Sequence, residues 1–363
     1  MSTPRLRVLV VEDSLTVRRR LCDALQGDPG FEVVAEAENG QRAIELCRAL
    51  RPDVMTCDMQ MPVMSGLSAT EYIMAHCPTP ILIVSASTNR GELFKTYDAL
   101  AAGAVDVLEK PRGDGSDDDW DRRFTSAVRM VARIRVITHP RARLGLSAQR
   151  AHSLPAPAAT PARLGLGTDP ISLVALGAST GGPSALVRVL NDLPTRLPLT
   201  ILLVLHIDEP FGSAFSDWLS EQTPHSVRFA VAGEPLKTQQ CRVLMAPPGR
   251  HLVVEGRKLQ LSGDPERHSC RPSIDVLFES LAYGEGPGSA AALLTGMGKD
   301  GAQGLLALRQ AGAFTVAQDE ESSIVYGMPR EAVLLGAACQ VLPLDEIGRC
   351  LAEAITARAT ERQ

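Results

Sequence analysis

Apolar and polar positions along this chain fall into two blocks of alternating strand-like and helix-like runs. In the first block, RLRVLVVED, FEVVAEA, DVMTCDMQMP, TPILIVSAS and AVDVLEKP are short apolar runs, each ending in a polar turn. Between them, TVRRRLCDALQGDPG, NGQRAIELCRALRP, SGLSATEYIMAHCP and GELFKTYDALAAG read as helices closed by glycine or proline. A last helix, DWDRRFTSAVRMVARIRVI, puts Trp120, Phe124, Val128, Val131 and Ile134 on one face. Apolar strands that each precede a helix predict a parallel sheet covered on both faces. The alternation resumes at Asp169 with ISLVALGAS, LTILLVLHI, RVLMAPP, AAALLTGMG and AFTVAQD, most of them separated by helical stretches. HLVVEGRKLQLSG differs: two short alternating runs about Gly256 predict a β-hairpin. Between the blocks lies a Pro-, Ala- and Arg-rich stretch in which ARLGL occurs at Ala142–Leu146 and again at Ala162–Leu166. Two copies of five residues do not make a repeat array, so it reads as a semi-flexible linker. The expected organisation is an α/β chain of two domains, 1–137 and 169–363, joined by a linker over 138–168.

A length of 363 residues fits two domains of roughly 100–200 residues each. The formal net charge of −5 gives no reason to expect a nucleic-acid partner. No apolar stretch reaches the ~18–20 residues of a membrane span, and RVLVVED turns acidic too early for a signal peptide. Membrane insertion is therefore not expected. Cys22, Cys47, Cys57, Cys77, Cys241, Cys270, Cys339 and Cys350 are scattered, with no C-x-x-C pair. They read as reduced core residues of a cytoplasmic protein, with no metal site expected among them.

Ligands of open α/β sheets gather beyond the carboxyl ends of the strands. In the first block Glu12 and Asp13 follow the first strand, Asp58 ends the third, Ser85 follows the fourth and Lys110 the fifth. A single acid at a strand end is ordinarily just solvated, but five chemistry-bearing side chains at successive strand ends point to a site. Three carboxylates about one point need a cation, and oxygen donors suit Mg²⁺. A lysine and a hydroxyl beside them suit a phosphoryl group, and an aspartate beside Mg²⁺ can accept one. VVED, CDMQMPVMSG, VSA and LEKP, in that order, resemble the receiver domain of two-component response regulators over residues 5–136. The resemblance implies a flavodoxin-like (βα)5 fold, phosphorylation at Asp58 and Mg²⁺ held by Glu12, Asp13, Asp58 and the backbone carbonyl of Gln60. It also implies Ser85 and Lys110 as readers of the phosphoryl group. Many receivers carry an aromatic residue three positions before this lysine, where the chain has Val107.

In the second block GASTGG follows an apolar strand and precedes a helix. Such a turn can bind phosphate, lift Ser179 as the nucleophile of a G-x-S-x-G pattern, or be only a turn. A serine nucleophile needs a base and an orienting acid. His206 ends a strand as Ser179 does, whereas His251 and His268 are weaker candidates and His76, His139, His152 and His225 look incidental. Asp300 lies in the glycine-dense turn TGMGKDG, whose N–H groups suit an oxyanion hole. The order Ser…His…Asp is not the Ser…acid…His of the α/β-hydrolase fold. The residues alone leave the three readings of the turn open.

GASTGGPSAL, HIDEPFGSAFSDWL, APPGRH, RPSIDVLFESLA, LLTGMGKDGAQGLLALRQAG and AQDEESSIVYGMPREAV resemble the chemotaxis-receptor methylesterase (CheB) family over residues 169–355. The resemblance implies a doubly wound, mainly parallel catalytic domain and a Ser179–His206–Asp300 triad. It places the oxyanion donor at the Met297 N–H, with Thr180 beside the nucleophile. It implies hydrolysis of glutamyl methyl esters on chemoreceptors, glutamine deamidation by the same triad, a chemotaxis histidine kinase as phosphodonor and activation by phosphorylation. No cofactor is expected in the esterase site, and the protein is expected to be a monomer. Leu205 and Ile207 stand where the family has Gln and Met beside the base, and Pro247-Pro248 where it has Gly-Gly. A receiver-linked transcription factor is disfavoured because no basic recognition helix is present. A catalytically idle docking module has only these departures in its favour.

Overall fold

The computed structural model describes residues 4–86, 89–111, 117–134, 136, 169–207, 209–212, 214–236 and 240–360. The expected linker, 138–168, lies outside the described residues.

The N-terminal part runs β1 (Leu6–Val11), α1 (Leu15–Gln26), β2 (Phe31–Ala37), α2 (Gly40–Leu50), β3 (Val54–Cys57), α3 (Gly66–His76), β4 (Ile81–Ser85), α4 (Arg90–Ala101), β5 (Asp106–Glu109) and α5 (Asp117–Val131). Its five strands pair in parallel in the order β2-β1-β3-β4-β5. β3 is buried at all four positions, as a strand covered on both faces requires. The helices start where the turn chemistry dictates: Ser14, Asn39, Ser65 and Asn89 each accept a backbone N–H of the first turn. Trp120 stacks on Phe124 on the inner face of α5, while Ile134 lies just past the helix and packs against the same core.

The C-terminal part runs β6 (Leu173–Ala178), α6 (Gly182–Asp192), β7 (Thr200–Leu205), α7 (Glu209–Gly212), α8 (Phe215–Gln222), β8 (Val227–Phe229), β9 (Arg242–Met245), β10 (His251–Glu255), β11 (Lys258–Ser262), α9 (Ile274–Ala282), β12 (Ser289–Leu293), α10 (Ala302–Gln310), β13 (Phe314–Gln318), α11 (Met328–Leu334), β14 (Gln340–Leu342) and α12 (Leu344–Thr360). Seven strands form a parallel sheet in the order β14-β13-β12-β6-β7-β9-β8. β10 and β11 pair antiparallel about the Gly256 turn, as their pattern predicts. β6 and β7 are buried at every position, which fits their place at the centre of the sheet. From β6 the chain winds through β7 to β9 on one side, then returns to β12 on the other. The carboxyl ends of β6, β7 and β12 therefore flank the crevice where the winding reverses, the usual place for a site in such a sheet.

One apolar cluster runs from the N-terminal sheet into the C-terminal one through Tyr97, Phe211, Phe215 and Trp218. Among the described residues no helix is long and apolar enough to cross a membrane.

Candidate active site

At the carboxyl edge of the N-terminal sheet, Glu12, Asp13 and Asp58 present carboxylate oxygens within 4.8 Å of one another. Gly66 packs directly beneath Asp58, where a Cβ would meet the Asp58 carbonyl at 1.9 Å. Lys110 Nζ lies 2.9 Å from Glu12 Oε2 and 3.0 Å from Asp58 Oδ1. Burial, then the Asp58 charge, pushes the Glu12 carboxyl up to about 7 despite Lys110. Burial also raises Asp58, against the pull of Lys110. Two buried carboxylates and the exposed Asp13, oxygen donors only, are a set that a hard divalent cation such as Mg²⁺ fits. Gln60 follows Asp58 by two positions and is exposed. Ser85 donates its hydroxyl to Glu92 Oε1 at 3.2 Å, so the expected phosphoryl reader is tied to the first turn of α4.

In the C-terminal sheet Ala178 of β6 pairs with Leu205 of β7, and His206 N donates to Ala178 O at 3.1 Å. Ser179 and His206 thus leave neighbouring strands at matching positions. On the other side of β6, Ser179 N donates to Thr295 O at 3.0 Å, which ties the turn after β12 to the serine. Gly296 must be glycine because a Cβ there would meet Ser179 Cβ at 2.7 Å. Met297 follows and is 55% exposed beside the serine turn. Thr180 is buried, and its carbonyl accepts the Thr295 hydroxyl.

His206 Nε2 lies 2.9 Å from Asp300 Oδ2. Asp300 is buried and accepts Ser273 Oγ at 2.7 Å, Ile274 N at 2.7 Å and Asp275 N at 3.1 Å. The carboxylate therefore sits on the N-terminus of α9, where the free N–H groups and the helix dipole favour an anion. Burial alone would raise its carboxyl, but His206, Ser273 and Ile274 outweigh burial and hold it low. Burial lowers His206, yet the contacts with Asp300 and Cys270 carry it up to about 9. With Nε2 on Asp300, the other ring nitrogen, Nδ1, faces Cys270 Sγ at 3.7 Å.

Two contributors were not legible as site residues. Ser273 stands out in the sequence only as part of RPSIDVLFESLA, yet it is the N-cap of α9 and its hydroxyl anchors Asp300. Cys270 was expected in the core, but it is only partly buried and its Sγ lies 3.7 Å from His206 Nδ1. The structure gives structural work to other histidines. His225 is buried against Leu190 O, and His251 accepts Ser273 N at 3.1 Å on Nδ1, bracing the same N-cap. His268 faces Asp275.

A cleft of about 640 Å³ opens above these residues, and both halves of the chain line it. Val107, Leu108 and Arg123 come from the first, and Ser179, Thr180, His206 and Cys270 from the second. Leu205, Ile207 and Pro248, where the chain departs from the family pattern, line it too, as does Val107. α4 seals the neighbouring contact. Tyr97 is fully buried, stands edge-on to Phe215 with centroids 5.2 Å apart, and donates its hydroxyl to Phe211 O.

Two family descriptions match: "CheB methylesterase" over residues 174–351 and "Response regulator receiver domain" over residues 8–116. A protein of Anaeromyxobacter dehalogenans (strain 2CP-C), called protein-glutamate methylesterase/protein-glutamine glutaminase 2, is 43% identical over 348 residues, covering 96% of each chain. A protein of that description from Nitrosospira multiformis is 42% identical, covering 97% of this chain and 98% of its own. Another from Myxococcus xanthus (strain DK1622) is 41% identical, covering 98% of each. With the paired sheets and the serine, histidine and aspartate at one crevice, these likenesses over nearly the full length show that this chain belongs to the CheB family, a response-regulator receiver joined to a methylesterase domain.

Proposed function

We propose that Ser179, His206 and Asp300 carry out ester hydrolysis on chemoreceptor glutamyl methyl esters, and that the receiver gates their cleft. The observation that carries this reading is the placement of Ser179 and His206 at matching ends of adjacent strands, with Asp300 on His206 Nε2 at 2.9 Å. Ser179 Oγ attacks the ester carbonyl as His206 Nδ1 takes its proton. Asp300 keeps the opposite ring nitrogen protonated and stabilises the imidazolium that forms. The Met297 N–H, held beside the serine by the Gly296 contact, receives the developing oxyanion. His206 returns the proton to methanol, and water then frees the acyl-enzyme by the same route in reverse. With a glutamine side chain the leaving group is ammonia.

The receiver supplies control. Glu12, Asp13 and Asp58, with the Gln60 carbonyl, would hold Mg²⁺, which when bound neutralises charge during phosphoryl transfer. A phosphoryl group on Asp58 is met by Lys110 and attracts the Ser85 hydroxyl. That releases Glu92 and frees α4 to shift. α4 carries Tyr97 and Asp98, which bind the catalytic half, so its movement biases the cleft toward the open arrangement. The phosphodonor is a chemotaxis histidine kinase, and the protein works as a cytoplasmic monomer with residues 138–168 as the linker between domains 1–137 and 169–363.

The test is methanol release from membranes bearing methylated receptors. Ser179→Ala is expected to lower the rate by about 10⁶-fold, as loss of a triad nucleophile does. A Ser179→Ala protein that still releases methanol at the wild-type rate would exclude this assignment.

A further inference from the structure

Among the described residues, Cys270 lines the esterase cleft beside His206 and Asp300 and is the one member of that group of potential metal ligands with no part in the hydrolysis derived above. Cys270 Sγ lies 3.7 Å from His206 Nδ1, and His206, Cys270 and Asp300 offer ligand atoms within 4.8 Å of one another. A tetrahedral Zn²⁺ with bonds of about 2.0–2.3 Å holds a nitrogen and a sulfur ligand about 3.6 Å apart. The pair, already in hydrogen-bond contact, therefore stands close to the separation that such an ion needs. Asp300 Oδ2, 2.9 Å from Nε2, completes the usual environment of a metal-bound imidazole, whose second nitrogen donates to a carboxylate.

The cysteine is placed by a tight turn. Arg267 and Cys270 exchange both backbone hydrogen bonds, at 3.1 and 2.9 Å, across His268 and Ser269. Both central residues have positive φ, 53° and 60°, the backbone of a type I′ turn that glycine or asparagine ordinarily fills. Side-chain contacts of two of its four residues hold it: Arg267 Nη2 lies 2.7 Å from Glu279 Oε1 and His268 Nε2 3.2 Å from Asp275 Oδ2. A chain that keeps two side-chain-bearing residues in this conformation fixes Cys270 at the mouth of the histidine.

We propose that Cys270 Sγ and His206 Nδ1 form a binding site for a thiophilic divalent cation of the Zn²⁺ class, and that the ion is a reversible inhibitor. Binding expels the thiol proton of Cys270 to solvent and occupies the lone pair of Nδ1. With Nε2 already on Asp300, His206 then has no nitrogen left to accept the Ser179 proton. The remaining coordination positions face the cleft and take water. Hard ions that fit the receiver carboxylates are poor ligands for a thiolate, so Mg²⁺ and Zn²⁺ act at separate places. The inhibitory consequence rests on the Ser179–His206 reading of the esterase; the binding itself does not.

The experiment uses the full chain with a small phosphodonor and Mg²⁺, in two arms. In the first, Cd²⁺ is titrated and the ultraviolet thiolate-to-metal absorption is recorded. Wild type and Ser179→Ala are expected to show a saturable band that Cys270→Ser lacks, and His206→Ala to need at least tenfold more Cd²⁺. In the second, Zn²⁺ is titrated into the methanol-release assay, each protein read against its own metal-free rate. Zn²⁺ is expected to inhibit the wild type at least tenfold, with recovery on adding chelator, and Cys270→Ser to need at least tenfold more Zn²⁺. Asp58→Asn, assayed without phosphodonor, keeps the Cd²⁺ band if the receiver carboxylates are not the site. A band that does not depend on Cys270, or equal Zn²⁺ sensitivity in Cys270→Ser, overturns the proposal. The Cd²⁺ band without Zn²⁺ inhibition leaves the site standing and overturns its role as a brake.

Discussion

The indole N–H of Trp218, on α8, donates to the Asp98 carboxylate, on α4, at 2.9 Å, joining the catalytic half of the chain to the receiver. Arg90 and Asp217 add a more exposed ion pair between the same helices at 3.2 Å. Tyr97, next to Asp98, fills the apolar part of the contact against Phe215 and Trp218. The helix whose first turn carries Glu92, the partner of Ser85, is thus the helix that grips the esterase.

In the proposed gating, that grip sets the basal rate. A hydrogen bond to a charged group is worth about 1.5–3 kcal/mol, and about 1.4 kcal/mol is a factor of ten in a population. Asp98→Ala is therefore expected to raise methanol release by the unphosphorylated protein roughly tenfold or more, without raising the phosphorylated rate. Rates at the wild-type level in both states would show that the α4–α8 contact does not hold the cleft shut.

In the proposed gating, Ser85 couples phosphorylation to α4 through its 3.2 Å hydrogen bond to Glu92. Ser85→Ala is expected to accept phosphate on Asp58 but to lose most of the activation that follows. Phosphate-affinity electrophoresis measures the first and methanol release the second. Full activation in Ser85→Ala would place the coupling elsewhere.

Ser273 acts on the chemistry only through Asp300. Its hydroxyl is one of three donors that the start of α9 gives that carboxylate, beside His206 Nε2, and it also caps α9, accepting Val276 N at 3.4 Å. Loss of a buried hydrogen bond and of an N-cap each costs about 1–2 kcal/mol. Ser273→Ala is expected to lower kcat about 10–100-fold with little change in KM and to lower the melting temperature by several degrees. Ser273→Thr, which keeps the hydroxyl, should recover most of kcat. An unchanged kcat in a stable Ser273→Ala protein would remove Ser273 from the triad's support.

The pH dependence follows from His206. Burial opposes its charge, but Asp300 and Cys270 raise it from its ordinary 6.5 to about 9. A raised histidine contributes stability that is complete below pH 6.5 and is lost as pH rises through about 9. Ester hydrolysis runs the other way, because a general base must be neutral. kcat/KM for methylated receptors is expected to climb between pH 7 and pH 9, while the melting temperature loses this contribution over the upper part of that range. A rate that falls over that interval would contradict the ionisation assigned to His206.

Much of this was legible in the sequence because the strands are buried on both faces. β1, β3, β4, β6, β7, β12 and β13 read as continuous apolar runs, and strand ends locate sites in a parallel sheet. Glu12, Asp58, Lys110, Ser179 and His206 all follow from that rule, and Asp300 from the glycine turn after β12. β8 and β14 are not legible in the sequence, since three-residue edge strands carry no period. Ser273 and Cys270 escaped for a different reason. Each reaches the site through a fold-back distant in sequence, 27 residues from Asp300 and 64 from His206, and neither lies at the end of a sheet strand. The α4–α8 contact was likewise invisible, because the apolar face of a covering helix looks the same whether its own sheet or another domain buries it.

The most direct test of a receiver-gated esterase is methanol release from methylated receptor membranes by the full chain, with and without a small phosphodonor and Mg²⁺. Phosphorylation at Asp58 is expected to raise the rate at least tenfold, and Asp58→Asn to abolish the increase while keeping the basal rate. Equal rates with and without phosphodonor, at confirmed phosphorylation of Asp58, would contradict it.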